Sequence, residues 1–416
     1  MEDKDSNIEP IKTFSSDADL VSGVPDEFGV LYSPDGKRLL HCSPDLALKE
    51  YEIKFGTEVI CDWAFSFCKS LERVSIPSTV ISIGYRAFFN GSSLKCVDIP
   101  KSVLSIGNEA FNGCCSLRSL EIPSSISRIG DLTFCRCRSL ERIFIPSSVS
   151  AMGCNPFRNC RKVKIFLFSQ SKFSVTDEAL IDSTGKLIAY LGTSANVFIP
   201  SSVTSIGDSA FWGCTLKSIY IPSTITSIGA CAFQFCTKLK NVNIPSSVVS
   251  IGLCAFRCCE AMEEINLPSS LMSIGGGAFA RCNSLKSVDI PPGLTTIEDN
   301  VFRKCKGLER VLITSTVTSI GACSFAGCKS LNKVTIPSSV SSIGESAFSD
   351  CISLTCLSIS TSTTHLGWNA IPPHCRIRRI GTKLRKRDDG VKGREYIQKI
   401  CQIIRESRVK GEILEE

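Results

Sequence analysis

A 23-residue repeat constrains the fold of this chain more than any other feature. The unit reads L-x-x-V-x-I-P-S-S-V-x-S-I-G-x-x-A-F-x-x-C-x-S, and thirteen copies occupy most of residues 50–375. Self-similarity at a fixed period of this length is typical of stacked-repeat architectures. The copies follow at steps of 23 residues, apart from one step of 22 and one of 54, and each is marked by Ile53, Ile76, Ile99, Ile122, Ile145, Ile199, Ile221, Ile244, Leu267, Ile290, Ile313, Ile336 or Ile359.

Each unit begins as a strand and continues as a turn. Apolar and polar residues alternate in its first part, as at Val74 and Ile76, and this alternation predicts a half-buried strand. Proline has no N–H to donate, so it ends the strand, and the Ala-Phe pair is expected on a short helical turn. One coil buries too few apolar side chains to offset the entropy of ordering it. The sequence therefore predicts a β-rich solenoid of about thirteen stacked coils.

The repeat resembles the BspA-like subclass of leucine-rich repeats, which occurs in surface proteins of bacteria and of some parasitic protists. The segment IPSSVTSIGDSAFWGC at 199–214 is nearly a consensus copy. The resemblance implies a solenoid that binds or adheres to host or matrix proteins, as a surface antigen does, without enzymatic activity. It applies to the repeat as a whole and supplies no functional residues of its own.

Two segments that do not fit the repeat divide the array into blocks. Residues 30–32 with 39–41, and residues 180–181 with 187–190, each flank a polar turn that contains glycine, which predicts a β-hairpin. Such hairpins would cover the open apolar end of a coil stack. We therefore expect a polar acidic N-terminal segment at 1–24, a hairpin cap with the first repeat block at 25–160, an inserted hairpin with the second block at 161–375, and a basic tail at 376–416.

The 24 cysteines are mostly one repeat position. Eleven of them stand three residues after the repeat phenylalanine, where a small and weakly polar side chain packs under a turn. The spacings also lack the C-x2-C pairs of a zinc site, so no metal and no cofactor is expected. These eleven are Cys68, Cys114, Cys137, Cys160, Cys214, Cys236, Cys259, Cys282, Cys305, Cys328 and Cys351.

The sequence contains neither a catalytic motif nor the pattern of a signal peptide. The three histidines are His41, His365 and His374, and none lies near a G-x-S-x-G element, so the sequence predicts no enzyme and no small-molecule substrate. The first residues are acidic and polar, without the apolar stretch of a signal peptide. This favours a cytoplasmic, reducing location, whereas the family resemblance favours the cell surface.

A run of apolar residues on the outward face of the strands is the candidate binding site. The row between the buried Val and the Ile reads Phe144, Leu167, Phe198 and Tyr220 in four successive members, with Arg142 beside it. A contiguous exposed aromatic patch is typical of a surface that anchors a protein partner. The alternative is that the inserted hairpin folds over these rings and buries them.

The tail at 376–416 carries thirteen Lys or Arg and seven Asp or Glu. Apolar residues at helical spacing from Glu395 onward predict a basic amphipathic helix. It can cap the last coil, remain solvated, or contact nucleic acid or an anionic membrane. Contact of the tail with nucleic acid or a membrane is the alternative to a monomeric protein that binds only protein partners. The residues that would make this contact are Arg378, Arg379, Lys383, Arg385, Lys386 and Arg387.

Overall fold

Two rows of short parallel strands run along the repeat array in the computed structural model, which describes residues 11–160 and 162–380. Most coils contribute one strand to each row. The first-row strands come from the V-x-I part of the unit. They are β4 (Glu50–Glu52), β6 (Arg73–Ser75), β8 (Cys96–Asp98), β10 (Ser119–Glu121), β12 (Arg142–Ile145), β14 (Lys164–Leu167), β18 (Asn196–Phe198), β20 (Ser218–Tyr220), β22 (Asn241–Asn243), β24 (Glu264–Asn266), β26 (Ser287–Asp289), β28 (Arg310–Leu312), β30 (Lys333–Thr335), β32 (Cys356–Ser360) and β34 (Arg376–Ile380).

The second row comes mainly from the Ser-Ile pair of the S-I-G motif. Its strands are β3 (Arg38–His41), β5 (Val59–Ile60), β7 (Ser82–Ile83), β9 (Ser105–Ile106), β11 (Arg128–Ile129), β13 (Ala151–Met152), β17 (Lys186–Tyr190), β19 (Ser205–Ile206), β21 (Ser227–Ile228), β23 (Ser250–Ile251), β25 (Ser273–Ile274), β27 (Thr296–Ile297), β29 (Ser319–Ile320), β31 (Ser342–Ile343) and β33 (His365–Leu366).

The predicted hairpins are present at the start of the array and within it. Strands β1 (Val24–Pro25), β2 (Leu31–Tyr32) and β3 are antiparallel neighbours, as are β15 (Phe173–Thr176), β16 (Ala179–Asp182) and β17. The one helix in the described residues is α1 (Asp17–Val21), which begins at Ser16 with a capping box. No helix in residues 11–160 and 162–380 has the length and apolar character that crossing a membrane needs.

The expected number of coils is too small, because β14 and β34 add two coils to the thirteen marked in the sequence. Strand β14 pairs in parallel with β12, so that Ile143 faces Ile165 and Ile145 faces Leu167. Its sequence, Lys-Ile-Phe-Leu, lacks the proline that marks other copies. Strand β34 extends the last first-row sheet beyond β32, also without a proline.

The expected short helical turns around Ala-Phe are wrong. The chain turns there through left-handed residues, with φ of 52° at Arg86 and 55° at Asn90. The N–H groups of Arg86 and Phe88 donate to the carbonyls of Asn108 and Ala110 in the next coil. Since these donors are satisfied between coils, the i to i−4 bonding of a helix does not form.

The repeat phenylalanines form two continuous stacks of buried rings. Along each stack the centroids are 4.9 to 5.8 Å apart. One member, Tyr190 of the inserted hairpin, takes the place of a repeat phenylalanine, and its N–H donates to the carbonyl of Ala210. The first stack contains Phe65, Phe88, Phe111, Phe134 and Phe157, and the second contains Tyr190, Phe211, Phe233, Phe256, Phe279, Phe302, Phe325 and Phe348.

The inserted hairpin separates two hydrophobic cores and is buried on both faces. Leu180 and Ile188 pack into the first core, whereas Ile181 and Leu187 pack into the second. Beyond the hairpin the two blocks are in direct contact, because Asn155 Nδ2 donates to the Ser209 carbonyl at 2.6 Å. One three-stranded element therefore closes the first block and opens the second.

The repeat cysteines link each coil to the coil before it. The Cys282 thiol, for example, donates to the Phe256 carbonyl at 3.3 Å, and the same bond recurs at Cys114, Cys137, Cys160, Cys236, Cys259, Cys305, Cys328 and Cys351. Cys68 makes the equivalent bond to the Cys42 carbonyl. The packing position predicted from the sequence is confirmed, and the structure adds its hydrogen bond.

Candidate binding surface

The first-row strands present every second side chain to solvent. In β20 the central Ile219 is buried while Ser218 and Tyr220 are exposed, and most first-row strands share this pattern. Because neighbouring strands pair in parallel without slippage, equivalent outward residues lie side by side in rows. The surface is thus a grid whose columns are repeat positions.

Leu167 is wrongly assigned to the outward row. The pairing of β12 with β14 sets Phe144 opposite Phe166, while Leu167 lies opposite Ile145 and packs against the first core. The error is one residue, because β14 follows its predecessor at an interval shorter than 23. Phe144 is half-buried and Phe166 is exposed, and their rings stack with centroids 4.9 Å apart.

A second aromatic pair lies on the strands that follow the inserted hairpin. Phe198 and Tyr220 face each other in register, with ring centroids 6.2 Å apart. Phe198 is 72% exposed and Tyr220 is 58% exposed. The inserted hairpin therefore leaves both rings open to solvent. These residues, with Arg142, Phe144 and Phe166, are called the aromatic surface below.

The turn between β15 and β16 borders the aromatic surface with two carboxylates. Asp177 and Glu178 both have positive φ, 49° and 62°, as the two-residue turn of a tight hairpin requires. Together with Phe198 they line an open cavity of about 490 Å³. The Tyr190 hydroxyl donates to Glu178 Oε2 at 3.0 Å, and burial with this carboxylate raises the pKa of Tyr190 to about 12.

Exposed basic side chains lie on β12, beside Phe144, and on β34. Arg142 is exposed and lies in register between Ser119 and Lys164. Of the predicted basic-tail residues, Arg378 and Arg379 lie on β34 and are exposed. Lys383, Arg385, Lys386, Arg387 and the predicted C-terminal helix lie outside the described residues, and contact of the tail with nucleic acid or an anionic membrane stays a prediction.

A second aromatic cluster, on the turn side of the first block, was missed by sequence reasoning. The Arg86 guanidinium carbon lies 4.7 Å from the Trp63 ring centroid and 4.8 Å from that of Phe89. It also pairs with Glu109 at 2.7 Å. Aligning the repeats in columns would have found the cluster, because successive copies carry aromatic residues on either side of Ala-Phe. The faces of these rings already contact the Arg86 guanidinium, which is the cation that such rings bind.

The repeats of this chain match a known sequence profile. The sequence profile described as "BspA type Leucine rich repeat region (6 copies)" matches residues 44–184, 189–309 and 295–380. The chain belongs to this family. No curated protein sequence matches this BspA-type protein.

Solved bacterial leucine-rich repeat proteins share the fold of this BspA-type chain. A protein from Eubacterium ventriosum is 25% identical with a TM-score of 0.65, and 88% of this chain and 96% of that one are covered. One from Bacteroides ovatus is also 25% identical with a TM-score of 0.51, covering 86% and 97%. The pneumococcal vaccine antigen PcpA, 18% identical with a TM-score of 0.50 and coverage of 87% and 94%, shows likeness of fold alone.

Most of the thiols that link the coils of this BspA-type protein are buried. Burial raises the pKa of Cys305 and of Cys351 to about 12, and that of Cys282 well above its usual range. A protonated, buried thiol is a poor nucleophile and a poor metal ligand. Among residues 11–160 and 162–380, no group of three or more His, Cys, Asp or Glu is placed to hold a metal ion.

Proposed function

We propose that this BspA-type protein is a non-catalytic binding module, of the adhesion or scaffold kind, whose protein partner docks on the aromatic surface. The observation that supports this most is the exposure of Phe198 and Tyr220 in a row where most other coils carry a polar residue. Monomeric proteins rarely leave contiguous aromatic area open unless it meets a partner. The family supports a protein-binding or adhesion-type role for the chain as a whole.

The chemistry of the surface favours a partner with both apolar and basic side chains. Burying a large aromatic side chain contributes about 1.5–3 kcal/mol, so Phe198 and Tyr220 are suited to anchor the contact. Asp177 and Glu178 lie against the same cavity as Phe198. A Lys or Arg of the partner placed there would meet a carboxylate and an aromatic face together. The stacked pair Phe144 and Phe166 supplies further apolar area.

The test is affinity capture with the full chain and a double variant, F198S/Y220S. The matched control is L312S, because Leu312 occupies the same outward row and is 44% exposed but lies outside the aromatic surface. Loss of two aromatic anchors should weaken binding on the order of 100-fold, so the captured proteins should disappear from the double variant and remain with L312S.

Two results would contradict docking of the partner on the aromatic surface. If F198S/Y220S, folded by circular dichroism, captures the same proteins as the parent chain, the aromatic surface is not the docking site. If deleting 381–416 abolishes capture while F198S/Y220S does not, the basic-tail alternative replaces the proposal.

A further inference from the structure

One coil of the second block has almost no side chains on its turn side. The positions that flank Ala-Phe hold Gly276, Gly277 and Ala280 in this coil, whereas the coils on either side hold larger residues there. A recess of about 360 Å³ results, open to solvent along the array. Its walls are Leu253, Cys254 and Arg257 from the preceding coil and Asp299, Asn300, Arg303 and Lys304 from the following one, with Arg281 at its edge.

The recess concentrates positive charge, because four basic residues and one carboxylate line it. Arg257, Arg281, Arg303 and Lys304 line it, and none of them forms a salt bridge with a described residue. Asp299 is the single acidic residue of the lining. Its Oδ1 already accepts the N–H of Ala322 at 2.6 Å, so this carboxylate is engaged by the next coil.

Arg257 carries an unmet hydrogen-bonding requirement. Its Nε is buried and has no partner among the described residues. A buried donor left unpaired costs about 1–3 kcal/mol, and a guanidinium forms its strongest bonds as a planar fork to a carboxylate or a similar oxyanion. Across the recess Arg303 Nη1 bonds only to the Asn300 side chain, at 3.3 Å. The Arg257 side chain also contacts the Cys258 thiol, and neither guanidinium forms a further hydrogen bond with a described residue. Their terminal N–H groups, rather than the enclosed Nε, are therefore the donors available to a ligand.

We propose that this recess binds the carboxylate of an acidic side chain in an extended segment of a protein partner. The ligand would place its aliphatic stem against Leu253 and Ala280 and its carboxylate between the guanidinium groups of Arg257 and Arg303. This site lies on the turn side of the coil and is separate from the aromatic surface. It does not depend on that surface being the docking site.

The dimensions and lining favour a peptide over other polyanions. The recess takes the place of one coil's side chains, so its walls are two strand spacings apart, about 10 Å, which admits a single extended chain. No aromatic residue lines it, so it offers no platform for stacked bases, as single-stranded nucleic acids prefer. Lys306 and Lys329 line a further cavity beside Arg281 and Lys304, together with Glu260 and Asp350. These two lysines would meet neighbouring acidic residues of the segment.

A binding assay with a labelled oligoglutamate peptide tests the proposal on the full chain. The variant A280W fills the recess and leaves every charge in place. The equivalent position of another coil already carries Trp212, so this coil position accepts a large ring. The matched control is A326W, which places the same ring two coils further on, outside the lining. Anisotropy should show affinity falling about tenfold or more in A280W and unchanged in A326W.

Charge variants separate the site from general attraction of anions. R257Q/R303Q/K304Q should weaken the peptide about tenfold or more, whereas K101Q/R118Q/R128Q, with the same change of net charge in the first block, should not. The proposal is overturned if A280W binds the peptide like the parent chain, or if both triple variants lose affinity equally. It is also overturned if a sulfated oligosaccharide of equal charge binds more tightly than the peptide and A280W affects only the former.

Discussion

The ring stacks provide a direct test of how coils stabilise one another. Phe256 contacts Phe233 at 4.9 Å and Phe279 at 5.4 Å between centroids, while Phe348, the last ring of its stack, contacts only Phe325 at 5.2 Å. A stacked pair contributes about 0.5–1.5 kcal/mol beyond area burial. Replacing a ring by leucine keeps most of the apolar volume and removes these pairs. F256L should therefore cost about 1–3 kcal/mol, and F348L about half of that.

The decisive quantity is the coupling between two such substitutions. F256L and F279L remove one shared pair, so the double variant should be less destabilised than the sum of the singles by about 0.5–1.5 kcal/mol. F256L and F348L share no pair and should be additive within about 0.5 kcal/mol. The assay is equilibrium unfolding in urea followed by circular dichroism, with the exposed F198L as a control for the substitution itself. Equal coupling for the near and distant pairs would refute nearest-neighbour stacking.

Three further predictions concern the thiols and the glycine bend. Between about pH 9 and 12 the unfolding free energy should fall, because the unfolded chain releases thiol protons that the native state retains up to the raised pKa of Cys305 and Cys351. Each buried thiol should contribute a slope of about 1.4 kcal/mol per pH unit. In urea titrations at a series of pH values, C305A should lower the slope by the contribution of one thiol. A thiol-reactive dye should label the exposed Cys356 in the native protein and the coil-linking cysteines only after unfolding, so rapid native labelling of Cys282 by mass spectrometry would contradict the burial. G107A should lower the unfolding free energy by about 1–3 kcal/mol, since the added Cβ would lie 2.5 Å from the Tyr85 amide nitrogen, and an unchanged melting temperature would show that the coils can separate.

The sequence predicts the burial of residues that depends on one repeat alone. It does not predict backbone conformation or strand register where these depend on contacts with neighbouring coils. Val74 and Phe88 are buried as their apolar positions indicate, and Cys282 lies where its column predicts. The Ala-Phe pair alone predicts a helical turn beside Arg86, but Arg86 is left-handed and its N–H donates to the carbonyl of Asn108 in the next coil. Phe166 was missed because its coil lacks the usual proline, so that only the strand pairing sets its register.

The binding surfaces likewise depend on contacts between coils that a single repeat does not contain. The exposure of Phe198 and Tyr220 was open in the sequence, since whether residues 170–195 cover them depends on the path of the inserted hairpin. The recess at Gly276 requires three coils to be seen together, because a small residue creates space only when the residues above and below it are large. Such features depend on equivalent positions of neighbouring repeats rather than on residues adjacent in the chain.

The hairpin between the two cores has a consequence for how the chain is made. Every buried residue of the first core lies at or before Ala189, and the partly buried Leu191 also packs against it, while the second core begins at Ala179. A nascent chain that has emerged from the ribosome as far as Leu191 already contains all the side chains of the first core, so this block can fold before the rest of the second is synthesised. A fragment ending at Leu191 should accordingly fold cooperatively, and one ending at Phe168 should aggregate for want of Leu180 and Ile188.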